Sequence, residues 1–248
     1  MSTGPRKELS IVIPAYNERT RLPPTLLALL QAEKEGVLAP AELREILIVD
    51  DGSKDGTLQA IPAPVHERGL LRTVRLERNS GKGAAVRRGL AEARGEWVLV
   101  ADADMATPWT QLRVLCARQA ESGSQIVIGS RGLRDSALLR RQNPVRETLG
   151  KLFNRFIVLL TGLRFKDTQC GFKLIHRPSV EPWLGRLAID RFAWDVEFLM
   201  RAMKSGLRIC EVPVVWSHQD GSSVRPLRDG IRMVVDFTRI RLRMLFER

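Results

Sequence analysis

The sequence predicts an α/β fold, a Rossmann-like, mostly parallel sheet flanked by helices, on three observations. Short β-branched runs recur along the first half of the chain, helical patterns fill the gaps between them, and acidic or glycine-containing clusters fall just after the runs. Strand, helix, strand alternation at this spacing implies parallel strands joined by crossovers, with both faces of the sheet covered. Ligands in such sheets bind beyond the carboxyl ends of the strands. Residues just after each run are therefore where chemistry is expected.

In chain order, the runs at 9–13, 45–49, 70–76, 97–101 and 126–128 read as strands, with helices at 21–34, 83–93 and 108–121. The loop 132–144 is a linker candidate. Beyond it come a helix, a strand-like stretch at 171–175, a helix at about 193–204, a strand at 207–215 and a final helix. No repeat is visible, and residues 167–225 show no independent core. The chain therefore reads as a single domain over 1–248, with one half at about 1–131 and a second at about 132–248.

The 248 residues carry a formal charge of +12 with 44% hydrophobic and 27% charged residues, an ordinary globular composition. Cys116, Cys170 and Cys210 share no C-x-x-C spacing and cannot all pair, which argues against a disulfide framework and a structural zinc site. A reducing compartment is the default expectation. The run 9–13 is too short for a signal-peptide core, and no stretch reaches the ~18 to 20 apolar residues of a membrane span.

Most of the excess charge lies in two segments. Residues 131–164 hold eight basic and two acidic side chains, and residues 225–248 hold seven and three. Both carry helical apolar periodicity, and basic amphipathic helices read as membrane-surface or nucleic-acid elements. The competing reading is that their apolar faces pack on the domain while the arginines face water. Nucleic acid is the weaker partner, because the chain has one Tyr and no aromatics interleaved with the arginines.

Asp102-Ala103-Asp104 places two carboxylates at a strand's end, one residue apart. Like charges that close call for a cation, and a hard Mg²⁺ or Mn²⁺ that bridges a diphosphate suits them. Alone the pattern is weak, since acids also open helices. Asp50-Asp51-Gly52-Ser53 is a second acidic terminus, able to accept hydrogen bonds from a ribose or base, or simply an Asp-Gly turn. Asn79-Ser80-Gly81-Lys82-Gly83 offers a lysine and flexible amides to a diphosphate. It matches neither a P-loop nor G-x-G-x-x-G.

Taken in order, Val12-Ile13-Pro14-Ala15-Tyr16-Asn17-Glu18, Ile48 to Thr57, Asn79 to Gly83 and Asp102-Ala103-Asp104 closely resemble the family 2 glycosyltransferases of GT-A fold. Gly129-Ser130-Arg131, the basic stretch around Arg146, Asp167 to Lys173, Asp195-Val196-Glu197 and Asp220-Gly221-Ser222 are similar to the polyprenyl-phosphate branch, the dolichyl-phosphate β-glucosyltransferases above all. The likeness spans about residues 9–245.

The resemblance implies that Pro14, Ala15, Tyr16, Glu18 and Asp51 hold the nucleotide, with Asp50 supporting the turn and Lys82 near the diphosphate. It implies that Asp102, Ala103 and Asp104 hold the sugar nucleotide, with Asp102 and Asp104 on the metal and Asp104 the more direct ligand. Arg131 and Arg146 match positions that face the diphosphate and acceptor phosphate, where guanidinium charge offsets anionic repulsion. Two positions depart from the pattern: Ala106 stands where mannosyl relatives carry a glutamine, and Ser223 where a lysine commonly stands, with Arg225 two residues on. Ser223 and Arg225 are accordingly further candidates for the acceptor phosphate. Glucosyl relatives often carry an N-terminal anchor, and none is expected here.

The resemblance implies an inverting hexose transfer, with glucose from UDP-glucose, to polyprenyl phosphate at the cytoplasmic membrane face. A phosphate monoester with a second pKa of ~6 is already nucleophilic at neutral pH and needs no general base. An alcohol acceptor would need one, and Asp195 or Glu197 is the candidate, unless these are structural acids at a helix start. A soluble transferase with a small alcohol or phosphorylated acceptor, a GDP-mannose enzyme and an idle nucleotide-sugar-binding protein stay open as alternatives.

Overall fold

The computed structural model describes residues 7–140, 157–158, 161–219 and 226–246. Strands β1 (Lys7–Ala15), β2 (Ala41–Asp50), β3 (Leu71–Arg75) and β4 (Trp97–Val100) alternate with helices α1 (Leu22–Lys34), α2 (Ala63–Glu67) and α3 (Lys82–Glu92). Then follow α4 (Gln111–Ser122), β5 (Ile126–Ser130), β6 (Ala137–Arg140), β7 (Lys173–His176), α5 (Arg177–Leu184) and α6 (Trp194–Lys204). The chain ends in β8 (Ile209–Pro213), β9 (Val215–Ser217) and α7 (Pro226–Phe246).

Seven strands form one sheet in the order β3-β2-β1-β4-β7-β5-β8, and β6 pairs with β9 in a separate parallel ribbon. The sheet is parallel except for β7, which runs antiparallel between β4 and β5. Because β7 reverses direction, its first residue, Lys173, lies opposite Val100 at the end of β4 and opposite Ile128 near the end of β5. All the loops named above for chemistry thus reach one edge of the sheet, and the chain's second half inserts β7 into their midst.

The strands are apolar on both faces, as a covered parallel sheet demands. Leu9, Ile11 and Ile13 of β1 meet Leu22, Leu26 and Leu29 of α1 and Leu112 and Leu115 of α4 on one side. Val12, Leu47, Val49, Val98 and Val100 meet Val86 and Leu90 of α3, Phe198 of α6 and Phe237 of α7 on the other. Each buried Leu, Ile or Phe contributes about 1.5–3 kcal/mol relative to exposure.

The structure differs from the sequence expectation in four places, beginning with the short helix α2, which no expected helix covers. The linker candidate contains β6, whose Leu139 is exposed. The single strand expected at 207–215 divides into β8 and β9, which belong to different sheets. Helix α5 was not foreseen because Pro178 and Pro182 lie within it, the former in the first turn where a missing N–H costs nothing. All three cysteines are free, and burial pushes the Cys116 and Cys170 thiols up to about 11.

Candidate active site

The first two loops are tied to each other by backbone amides. Asn17, with φ of 56°, donates its N–H to Ser53 Oγ at 2.9 Å, and Lys54 N–H donates to Asn17 Oδ1 at 3.0 Å. Glu18 N–H donates to Thr57 Oγ1 at 2.9 Å. Asp50 accepts from Ser53 N–H at 2.8 Å, and Gly52 occupies φ +71, where an added Cβ would meet the Arg78 backbone at 2.7 Å. Only glycine fits that turn.

Asp51 is buried and accepts from the amides of Ser80 at 2.7 Å and Gly81 at 2.8 Å. The acid named for the nucleotide therefore also fixes the Asn79–Lys82 loop, and burial, only partly offset by those amides, pushes its carboxyl up. Tyr16 stands exposed beyond β1, while Pro14 and Ala15 finish that strand. Glu18 accepts two bonds of 2.6 Å from Arg21, the residue before α1, a partner that sequence reading overlooked. Burial raises its carboxyl despite Arg21, and the charges of Asp104 and Asp102 add to the rise.

Asp102, half-buried after β4, receives Lys82 Nζ on Oδ1 at 2.5 Å. Gly171 lies so close to its carboxylate that any added Cβ would overlap it. Burial opposes ionisation of Asp102, but Lys82, Lys173 and Arg131 outweigh it and hold the carboxyl below the ordinary range. Asp104 is less engaged. Among the described residues it accepts one bond, from Ala106 N–H at 3.0 Å, and burial together with the Asp102 charge raises it. Ala103 between them is buried, and its carbonyl accepts the Thr25 hydroxyl at 2.8 Å.

Across the cleft, Arg131 follows β5 and makes a two-pronged pair with Asp167, Nε to Oδ2 at 2.6 Å and a terminal N–H to Oδ1 at 2.9 Å. Its own backbone N–H also donates to Oδ2 at 3.0 Å. Although burial opposes its charge, Asp167 holds the guanidinium firmly protonated, and Arg131 in turn brings Asp167 down to about 2 against desolvation. Glu211 fixes the same segment by accepting Lys166 and Asp167 N–H groups at 3.0 and 2.8 Å. The guanidinium lies 5.4 Å from the centre of the Trp216 ring. Trp216, Arg131, Asp102, Asp104, Gly171 and Trp109 line one cleft.

Two candidates have structural partners. Glu197 is buried, accepts the amides of Ala188 and Ile189 at 2.9 and 2.8 Å, and accepts Arg201 Nε at 3.1 Å. It thereby anchors the 185–192 segment, which matches the structural alternative for this acid. Asp195, two residues earlier on α6, accepts Lys173 Nζ, which also donates to the Cys170 carbonyl at 2.5 Å. Burial raises Asp195, with Lys173 and Lys82 pulling the other way. It thus backs the site through Lys173. Arg146, Ser223 and Arg225, and the basic stretch around Arg146, lie outside the described residues.

Asp167, Lys173 and Trp216 were not assigned roles from sequence. Asp167 and Lys173 sit inside a quoted motif, but nothing in their spacing says that one pairs with a residue 36 positions earlier. A fully buried lysine at a strand's start was the available signal, readable only once the antiparallel placement of β7 is known.

A mostly parallel sheet whose acidic strand ends gather at one edge is the arrangement of the GT-A glycosyltransferases, and comparison with solved structures places the fold there. Mannosyl-3-phosphoglycerate synthase from Rubrobacter xylanophilus superposes with a TM-score of 0.66 at 25% identity, over 96% of this chain and 74% of that one. Glucosyl-3-phosphoglycerate synthase from Mycobacterium tuberculosis, solved with Mn²⁺, UDP and glucosyl-3-phosphoglycerate, shares the fold at 19% identity and TM-score 0.66, over 95% and 79%. The profile described as Glycosyl transferase family 2 matches residues 10–184, and the chain belongs to that family; it is a glycosyltransferase. It is similar to the dolichyl-phosphate beta-glucosyltransferase of Dictyostelium discoideum, 37% identical over 96% of this chain and 75% of that protein. The human protein of the same name is 35% identical over 98% and 77%.

Proposed function

We propose that this chain transfers glucose from UDP-glucose to a polyprenyl phosphate of the dolichyl type, with inversion at the sugar's C1 and a divalent ion at the donor diphosphate. The observation that carries this reading is the 35–37% identity, along nearly the whole chain, to relatives whose names specify dolichyl phosphate and a β-glucosyl product. UDP-glucose is α-linked, so a β-linked product requires an odd number of displacements, and a single one is the simplest.

The site supports that chemistry with its own residues. An acceptor phosphate oxygen attacks C1 while the bond from C1 to the diphosphate breaks, and the electron pair leaves with UDP. The ionised acceptor needs no base, which suits a site whose Glu197 is occupied and whose Asp195 is held by Lys173. Arg131, locked by Asp167, is a fixed cation against which two anionic groups approach without reorganisation. Glu18, Asp51 and Tyr16 border the nucleotide, Lys82 the diphosphate, and Arg146, Ser223 and Arg225 remain proposed for the acceptor phosphate.

The donor set fits a hard ion. Among the described residues no group of three or more His, Cys, Asp or Glu side chains forms a metal cage. Mg²⁺ typically takes one or two carboxylates and completes its shell with water and substrate phosphates, and Asp104 with Asp102 offers that. Bound there, Mg²⁺ or Mn²⁺ supplies charge neutralisation for the departing diphosphate.

Among the described residues no helix is long and apolar enough to cross a membrane. Helix α7 docks through Met233, Phe237 and Ile240 and leaves Val235 and Leu242 exposed beside Arg239, Arg241 and Arg243. Apolar side chains interspersed with arginine suit the headgroup region. These features support a membrane-surface location, and the cytoplasmic face, whose anionic leaflet attracts basic segments, is the proposed one.

The test incubates purified full-length protein with Mg²⁺, polyprenyl phosphate and radiolabelled UDP-glucose or GDP-mannose, then extracts into organic solvent. Organic-phase counts from UDP-glucose alone are expected. Counts from GDP-mannose alone would overturn the donor, and nucleotide release with no organic counts would overturn the lipid acceptor.

A further inference from the structure

We propose that Lys82 is a built-in counter-ion that occupies Asp102 until a nucleoside diphosphate draws it away, so that a divalent cation alone binds weakly and donor and metal enter cooperatively. This rests on the donor and metal reading above and goes beyond it by assigning Lys82 a competitive role toward the ion.

The Lys82 ammonium lies 2.5 Å from Asp102 Oδ1. Gly171 packs so closely on the Asp102 carboxylate that an added Cβ would overlap it, so the carboxylate cannot move toward that backbone. An ion seeking Asp102 must therefore displace the ammonium or share the carboxylate with it. A lysine side chain is ordinarily charged at physiological pH, so the group competing for Asp102 is an ammonium.

The backbone beneath Lys82 is fixed. Gly81 N–H donates to Asp51 at 2.8 Å, Ala84 N–H to the Asp190 carbonyl at 3.0 Å and Ala85 N–H to the Gly81 carbonyl at 3.1 Å. Any exchange of partners thus falls to the lysine's four-carbon stem, which is long and flexible. The side chain is 21% exposed, enough for an entering phosphate to reach it. Once Nζ has turned to a phosphate oxygen, Asp102 is released to the metal, and by linkage the metal tightens the nucleotide by the same factor.

The experiment titrates Mn²⁺ into the full chain by electron paramagnetic resonance, with and without UDP, in wild type and Lys82→Met. Couplings of this kind run about 5- to 150-fold. In wild type, UDP is expected to tighten Mn²⁺ at least about tenfold, 1.4 kcal/mol. In Lys82→Met, Mn²⁺ alone is expected to bind about tenfold tighter than to wild type, with most of the UDP effect gone. Lys82→Gln, neutral and still polar, should behave like Lys82→Met, while Lys82→Arg should keep the weak wild-type affinity.

Mn²⁺ affinity that is unchanged or weaker in both neutral variants overturns the proposal, whatever UDP does. Failure of wild type to bind UDP, measured separately by calorimetry, would instead strike at the donor reading.

Discussion

The two walls of the cleft are held by different physics. On the side of β1 and β2, carboxylates and hydroxyls accept backbone N–H groups: Ser53 from Asn17, Thr57 from Glu18, and Asp51 from Ser80 and Gly81. On the side of β5 and β7, side-chain charges hold one another, Arg131 with Asp167 and Lys173 with Asp195. Amide bonds to loops fix shape and respond little to any one deletion, whereas a buried charge left alone is costly. In the proposed function, the first wall moulds a recess for the base and sugar and the second holds positive charge where phosphates arrive.

The largest effect is expected where the walls meet. Asp104→Ala should lower lipid-linked glucose formation by about 10²- to 10³-fold. Because Asp104 accepts only the Ala106 amide among the described residues, its loss should leave the melting temperature within a few degrees of wild type. Next comes Gly171→Ala, whose Cβ would displace the Asp102 carboxylate. A displacement of about 1 Å at a reacting centre costs on the order of 10²-fold, measurable as kcat in the same assay. A fully active Gly171→Ala enzyme would show that Asp102 tolerates movement and that the two walls are not in registry there.

Much of the first wall was legible because its acids directly follow apolar runs, and a parallel sheet brings all such ends to one edge. That placed Asp50, Asp51, Asp102 and Asp104 at one edge, while their roles came only from the ordered motifs and the resemblance those carry. The second wall was legible only as motifs. The antiparallel insertion of β7 depends on its pairing with both Val100 and Ile128, and a four-residue run, Lys173-Leu174-Ile175-His176, carries no sign of direction. Without that placement Lys173 reads as a surface lysine, and Glu197 looks as available for proton transfer as Asp195. Strand β9 was hidden for a related reason: Pro213 and two valines run on without a turn signal, though the chain changes sheets there.

The charged wall should also reveal itself in acid. Asp167 titrates near 2 in the folded protein against an ordinary value near 3.8. A lowered carboxyl contributes stability that is complete above its unfolded value and disappears as pH falls through its folded value. Asp167→Asn should therefore be less stable than wild type by about 2 kcal/mol at pH 7. Urea unfolding should show that gap closing between about pH 4 and pH 2. A gap that persists unchanged at pH 2 would mean that packing, not charge, holds Arg131.

Smaller still are changes that separate structure from chemistry on each wall. Glu197→Gln should unfold more easily by about 1–2 kcal/mol, since Arg201 then faces an amide, while retaining activity within about twofold at a temperature well below melting. A hundredfold activity loss would mark Glu197 as a base. The counterpart on the other wall is Ser53→Ala, which removes the acceptor for the Asn17 amide. One lost bond of this kind costs about 1 kcal/mol, and Lys54 N–H on Asn17 Oδ1 still ties the loops together. The expected result is a modest rise in KM for the nucleotide sugar with kcat preserved, because the recess loosens while Asp104 and Arg131 stay where they are. If kcat fell with KM unchanged, the base-side loops would be shaping the reacting centre itself, and the division between a moulding wall and a charged wall would fail.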